Sequence, residues 1–275
     1  MNNIRLIAMD MDGTLLNPAQ QLSPGNRQAL LEAQAAGIRL AVCSGRMPAD
    51  AAAFALENGL RDIAVLGLNG GLCRKTPLSS PYVNHVLPVE TARDCTAYFR
   101  SNDATVGLFA GDCVHVFPGR SPAKDSDWGG HWEHPHGPAL IRGGDPDVII
   151  RQGVNKIVCI EDDPQILAQY RAVMAGDPAL QITSSWINNL ELMPAGVDKG
   201  LAVRELAQVL AVAPSQVMVL GDFDNDLSMF AYAGFAVAMG NAPERITAAA
   251  HAVTRSNAED GVAYAIRRWA LPKPE

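Results

Sequence analysis

Short apolar runs separated by helix-period stretches fill the first ninety positions. Residues 4–9 read as a buried strand. Ser23-Pro24 then offer an N-cap and a first helical position ahead of Leu30, Leu31 and Ala35, with Gly37 as the stop. Residues 38–43 predict a second strand. A helical stretch over 51–56 ends near Asn58-Gly59, and residues 63–68 form a third apolar run closed by Asn69-Gly70-Gly71. Strand, helix, strand, helix, strand predicts a parallel sheet with helices on its faces, joined by right-handed crossovers. The same alternation returns after residue 190, with a helix over 199–210, a strand over 217–220, a helix ending at Ala233 and a strand over 235–239.

Between these stretches the pattern changes. Residues 105–109 and 113–117 predict a hairpin about Gly111-Asp112, and a strand over 155–160 precedes a helix over 164–174. The expectation is an α/β core made of residues 1–84 and 189–275, interrupted by an inserted α+β domain over 85–188.

Composition narrows the function. A chain of 275 residues, 48% hydrophobic and 19% charged, suits a packed enzyme of two units. A formal charge of −7 with no Lys/Arg cluster argues against nucleic acid as a partner, because phosphate backbones are held by clustered cations. Five scattered cysteines without a C-x-x-C pair suit a reducing cytoplasm. The first residues lead directly into a strand with no signal-peptide core, and no apolar run is long enough to span a bilayer, so neither export nor a membrane partner is expected. A monomer or homodimer is expected.

The candidate chemistry lies at strand ends. Asp10-Met11-Asp12-Gly13-Thr14 closes the first strand, where an open α/β sheet places its ligands. There one carboxylate can attack while its neighbour exchanges a proton, and Gly13 permits a tight turn; by itself the motif is equally a polar strand-end turn. Gly221-Asp222-Phe223-Asp224-Asn225-Asp226 again follows a buried strand. Carboxylates converging from both clusters would repel unless a hard divalent cation neutralised them. Mg2+ fits better than Ca2+, since the spacing lacks the twelve-residue calcium loop. Ser44-Gly45-Arg46, after the second strand, can donate a hydroxyl and backbone amides to a phosphoryl group. Lys199 follows Asp198, a suitable N-cap, and can reach both nucleophile and phosphoryl group as a point charge.

In this order the four elements resemble the motifs of the haloacid dehalogenase superfamily, and the Asn69-Gly70-Gly71 turn and the run from Glu191 to Gly200 look like its Cof-type branch with a C2B cap. The resemblance implies a Rossmann-like parallel sheet with a cap domain, and a Mg2+-dependent phosphatase acting on a small phosphorylated metabolite such as a sugar phosphate or pyridoxal phosphate. It makes Asp10 the nucleophile and Asp12 the general acid/base, with Ser44 and Lys199 completing the catalytic set. Substrate contacts fall to Ser44, Gly45, Lys199 and Asn225; Arg46 is equally a contact to the substrate and a surface ion pair, as an Arg beside a helix start commonly is. The metal site falls to Asp10, the Asp12 backbone carbonyl, Asp222 and Asp226, with Asp226 and Asn225 also orienting the metal's water shell and the lysine. Phe223-Asp224 departs from the family pattern, so Asp224 is expected to be a bystander. His131, His134 and His136 sit in a Gly- and Pro-rich stretch, expected to be a loop near the substrate and not a transition-metal site. Two rivals stand beside the phosphatase. A phosphotransferase or phosphomutase would share the aspartyl-phosphate, and a non-catalytic phosphometabolite-binding protein would leave the acid cluster as an unexplained electrostatic cost.

Overall fold

The structure, a computed structural model, describes residues 3–76, 80–124, 128, 138–184 and 187–271. It opens with β1 (Leu6–Asp10), α1 (Pro24–Ala35), β2 (Arg39–Cys43), α2 (Pro48–Glu57), β3 (Ala64–Gly67), β4 (Leu72–Lys75) and β5 (Val83–Asn84). Every position of β1 is buried, the signature of a sheet covered on both faces. Ser23 caps α1 as the sequence predicts, its Oγ accepting a hydrogen bond from Asn26 N at 3.1 Å, with Pro24 filling the first turn. β4 is not foreseen by the sequence pattern. It is four residues long and runs antiparallel to β3 after a turn too tight for a crossover.

The middle of the chain contributes α3 (Val89–Ser101), β6 (Thr105–Ala110), β7 (Cys113–Phe117), β8 (Ala139–Arg142), α4 (Pro146–Gln152), β9 (Lys156–Ile160), α5 (Pro164–Met174), β10 (Leu180–Thr183) and β11 (Asn189–Pro194). These strands form a second sheet in the order β10-β11-β9-β6-β7-β8, antiparallel except for β7 with β8. Alternate residues Val106, Leu108, Ile157, Cys159, Leu190 and Leu192 join one core with Ala92, Cys95 and Phe99 of α3 and Leu167, Tyr170 and Met174 of α5. The sequence places the return to the first sheet at residue 189. The structure corrects that boundary: β11 pairs with β9 and β10 because Leu190 and Leu192 belong to this second core. One compact unit accordingly comprises Asn84–Val197 with Arg46–Asp50, and the other the described residues up to Gly45, Ala51–Val83 and the described residues from Asp198 onward.

The first unit is completed by α6 (Lys199–Val209), β12 (Val217–Gly221), α7 (Leu227–Tyr232), β13 (Phe235–Ala238), α8 (Glu244–Thr247), β14 (Ala252–Val253) and α9 (Gly261–Ala265). Its sheet runs β14-β13-β12-β1-β2-β3-β4-β5. Ile7 and Met9 of β1 pack with Ala29, Leu30 and Ala33 of α1 and Val262 of α9. Leu6 and Ala8, on the opposite face, pack with Ala202, Val203 and Leu206 of α6 and Met229 of α7. The chain leaves β1 in one direction through β2 and β3 and returns on the other side as β12, so a topological switch point falls between β1 and β12, where such sheets bind ligands. Met9 pairs with Leu220 and Asp10 with Cys43, which brings the carboxyl ends of β12, β1 and β2 to one sheet edge. No helix among the described residues is long and apolar enough to cross a membrane.

Candidate active site

Asp10 is the last residue of β1 and is 7% exposed. The turn that follows depends on Gly13, whose φ of +83° disfavours any side chain. Space is short as well: a Cβ there would lie 2.3 Å from Asp222 Oδ2, so that carboxylate would have to shift. This close approach lets Thr14 Oγ1 donate to Asp222 Oδ1 at 2.7 Å, locking the first acid after β12 onto the turn after β1. Gly13→Ala is therefore expected to displace Asp222 and weaken Mg2+ binding by roughly tenfold or more, the scale on which supporting contacts tune metal sites. Titration calorimetry with MgCl2 checks it, and parental affinity in the variant would contradict it.

Lys199 is the first residue of α6, and Asp198 caps that helix by accepting from Leu201 N at 2.7 Å. The lysine is only 1% exposed, and a buried ammonium is stable only when paired. Its Nζ donates to Asp10 Oδ1 at 2.5 Å and to Asp226 Oδ1 at 2.7 Å. The second oxygen of Asp226 accepts from Asp222 N at 2.9 Å and Phe223 N at 3.1 Å. Asp226 thus ties the lysine to the loop that carries Asp222.

Burial raises the Asp10 carboxyl above its ordinary range; Lys199 pulls it back, while Asp226 and Asp222 push it up again. Burial likewise raises Asp222, against the Thr14 hydrogen bond. Carboxylate oxygens of Asp10, Asp222 and Asp226 all lie within 4.8 Å of one another. Three acids against one ammonium leave surplus negative charge in a buried place, and this donor set fits a hard divalent cation.

The side chain of Asp12 is exposed and its carboxylate stands outside that trio. Ser44, buried directly after β2, donates its N–H to Leu66 O at 2.9 Å and accepts at its carbonyl from Asn69 N at 2.9 Å. Gly45 faces the Asn69 side chain. Arg46 belongs to the other unit, where its Nη1 donates to the buried Asp50 at 3.4 Å. Asn225 is exposed and donates from Nδ2 to Asn69 Oδ1 at 3.4 Å. Asp224 is held bidentately by Arg245, both contacts at 2.8 Å, and is not one of the three clustered acids. His131, His134 and His136 lie outside the described residues.

Sequence reasoning missed an outer layer supplied by the end of the chain. Asn241 Nδ2 donates to Gly13 O at 2.9 Å, and Asn257 donates from its N–H to Asn241 Oδ1 at 2.9 Å and from its side chain to Leu16 O at 2.7 Å. Gly240-Asn241-Ala242-Pro243 reads as a turn, but no local pattern tells that its amide braces a loop more than two hundred residues earlier.

The family model for haloacid dehalogenase-like hydrolases matches residues 7–266. The chain belongs to that family, and it is a phosphoric monoester hydrolase. It is 30% identical to the 5-amino-6-(5-phospho-D-ribitylamino)uracil phosphatase YwtE of Bacillus subtilis, over 96% of this chain and 97% of that one. Identity with the pyridoxal phosphate phosphatase YbhA of Escherichia coli is 26%, over 95% of this chain and 97% of that one. Among solved structures, a haloacid dehalogenase-like hydrolase from Bacteroides thetaiotaomicron superposes with a TM-score of 0.85 at 30% identity, covering 96% of this chain and 99% of that one.

Proposed function

We propose that this chain is a Mg2+-dependent phosphatase that hydrolyses a small phosphorylated metabolite through an aspartyl-phosphate on Asp10. The observation that carries the reading is the buried Lys199, which binds Asp10 by one oxygen only, within a trio of acids at the switch point. With Oδ1 engaged by the ammonium, Asp10 attacks phosphorus through Oδ2. The P–O bond to Asp10 forms as the P–O bond to the leaving group breaks, and Asp12, exposed at the turn, gives its proton to the departing alkoxide. Water then attacks the phosphoryl group, Asp12 takes its proton, and orthophosphate leaves with Asp10 restored. Ser44, the Gly45 amide and Lys199 donate to the phosphoryl oxygens, with Asn225 at the rim. Mg2+ held by the carboxylates of Asp10 and Asp222 and the carbonyl of Asp12 would supply charge neutralisation for those oxygens. Asp226 supports that set by orienting Lys199 and the Asp222 loop, since both its oxygens already accept hydrogen bonds.

The substrate class is inferred from two relatives, one named for a ribityl phosphate and one for pyridoxal phosphate. Selection of the leaving group is assigned to the inserted unit, which contributes none of the clustered acids. The test is phosphate release from a panel of sugar phosphates, ribityl phosphates and pyridoxal phosphate, with chelator and after Mg2+ is restored. Activity lost on chelation and regained with Mg2+ is expected. Full turnover without metal would refute the metal assignment, and a sugar bisphosphate returned as its isomer, without free phosphate, would mark a phosphomutase instead.

A further inference from the structure

Three consecutive residues after β3 carry left-handed backbone: Leu68 at φ +52°, Asn69 at φ +52° and Gly70 at φ +104°. Only the third is a glycine, and such backbone is unfavourable for the side chains of the other two, the more so for a buried leucine. The surroundings show what holds the strained turn in place. A Cβ on Gly70 would lie 2.5 Å from the Asp198 carbonyl oxygen, so the turn is wedged against the cap of the helix that begins with Lys199. Asn69 N donates to Ser44 O at 2.9 Å, which pins the turn to the end of β2. Its side-chain Oδ1 accepts from Asn225 Nδ2 at 3.4 Å, and the same amide borders Gly45, where a Cβ would stand 3.4 Å from Oδ1 and 3.5 Å from Nδ2. From its place after β3, one side chain therefore spans from the turn after β2 to the loop after β12, the strands that flank β1.

We infer that Asn69 is a positioning residue for phosphoryl transfer, fixing the Asn225 amide against the Ser44–Gly45 turn so that both meet the same phosphoryl group. The inference rests on the phosphatase reading above. It explains why asparagine, one of the few non-glycine residues that tolerate left-handed backbone, occupies the centre of the turn.

The experiment is a double-mutant cycle on the full chain with Mg2+, following hydrolysis of p-nitrophenyl phosphate together with the melting temperature. Asn69→Gly keeps the backbone and removes the amide; it is expected to lower kcat/KM about tenfold, as lost supporting contacts do, with a melting temperature close to the parent's. Asn225→Ala should cost a similar factor, and the double variant should fall no more than about twofold below Asn225→Ala, since Asn69 acts through Asn225. Multiplying losses would overturn the inference, as would parental kcat/KM in Asn69→Gly. Asn69→Asp retains an acceptor for Asn225 and tolerates the backbone, so adding Asn225→Ala to it should still cost several-fold; no added cost would overturn the inference even were Asn69→Gly to misfold. If the parent chain is active and Asn69→Gly matches it, only the positioning role fails. If the parent releases phosphate from no ester, the phosphatase reading fails and the positioning role with it.

Discussion

Asp10→Asn is expected to lower phosphate release by on the order of 10⁴-fold or more, the scale seen when a catalytic nucleophile is removed, while the chain keeps its fold. The amide has nearly the shape of the carboxylate and still offers Lys199 an acceptor, so the contact at 2.5 Å can be kept in neutral form. It cannot attack phosphorus, and it brings one negative charge fewer to the acid trio. Because burial already penalises the Asp10 charge, removing it should cost little stability. Steady-state turnover of p-nitrophenyl phosphate and a thermal melt, measured on the same preparation, check both halves. Parental turnover in the variant would remove Asp10 from the mechanism.

Lys199→Met is expected to be damaging in a second way. The parent satisfies two buried carboxylates with one ammonium, and methionine would leave Asp10 and Asp226 facing each other without it. Removing one partner from a buried ion pair costs about 3–5 kcal/mol, since the charge left behind is neither hydrated nor paired. Urea unfolding with a chelator present should show a loss of that size. Added Mg2+ should recover part of it by binding the acids that the lysine no longer neutralises. Turnover should fall by about 10²–10³-fold even with the metal restored, because a donor aimed at developing charge is gone. A stability within about 1 kcal/mol of the parent, under the uncertainty of such extrapolations, would mean that Lys199 is not the counter-ion its contacts describe.

How far the site was legible follows from how local its signals are. Asp10 closes β1, Ser44 and Asp222 directly follow β2 and β12, and strands buried on both faces announce themselves as apolar runs; hence these three could be assigned to one sheet edge before any coordinate. Asp198 as the cap of α6 was legible for the same reason, because a capping side chain acts on its own helix. The limit of the inserted unit was not. Residues 189–194 are apolar at alternate positions and would suit either sheet, and only pairing with β9 and β10 assigns them to the second.

The order of apolar runs and helical periods determined the α/β core and pointed to an insert, and four short polar clusters singled out the acids and the lysine as candidates. Tertiary structure alone decided how those groups share their bonds. Asp226 places one oxygen on Lys199 and the other on backbone amides, Asp224 is taken by Arg245, Arg46 by Asp50, and the loop of Asp10 is braced by Asn241 and Asn257. The physical reason is that a carboxylate's chemistry depends on which donors and charges lie within a few ångströms and on how much water is excluded, and for Asp10 and Asp222 the donors Lys199 and Thr14 are about two hundred residues distant in the chain.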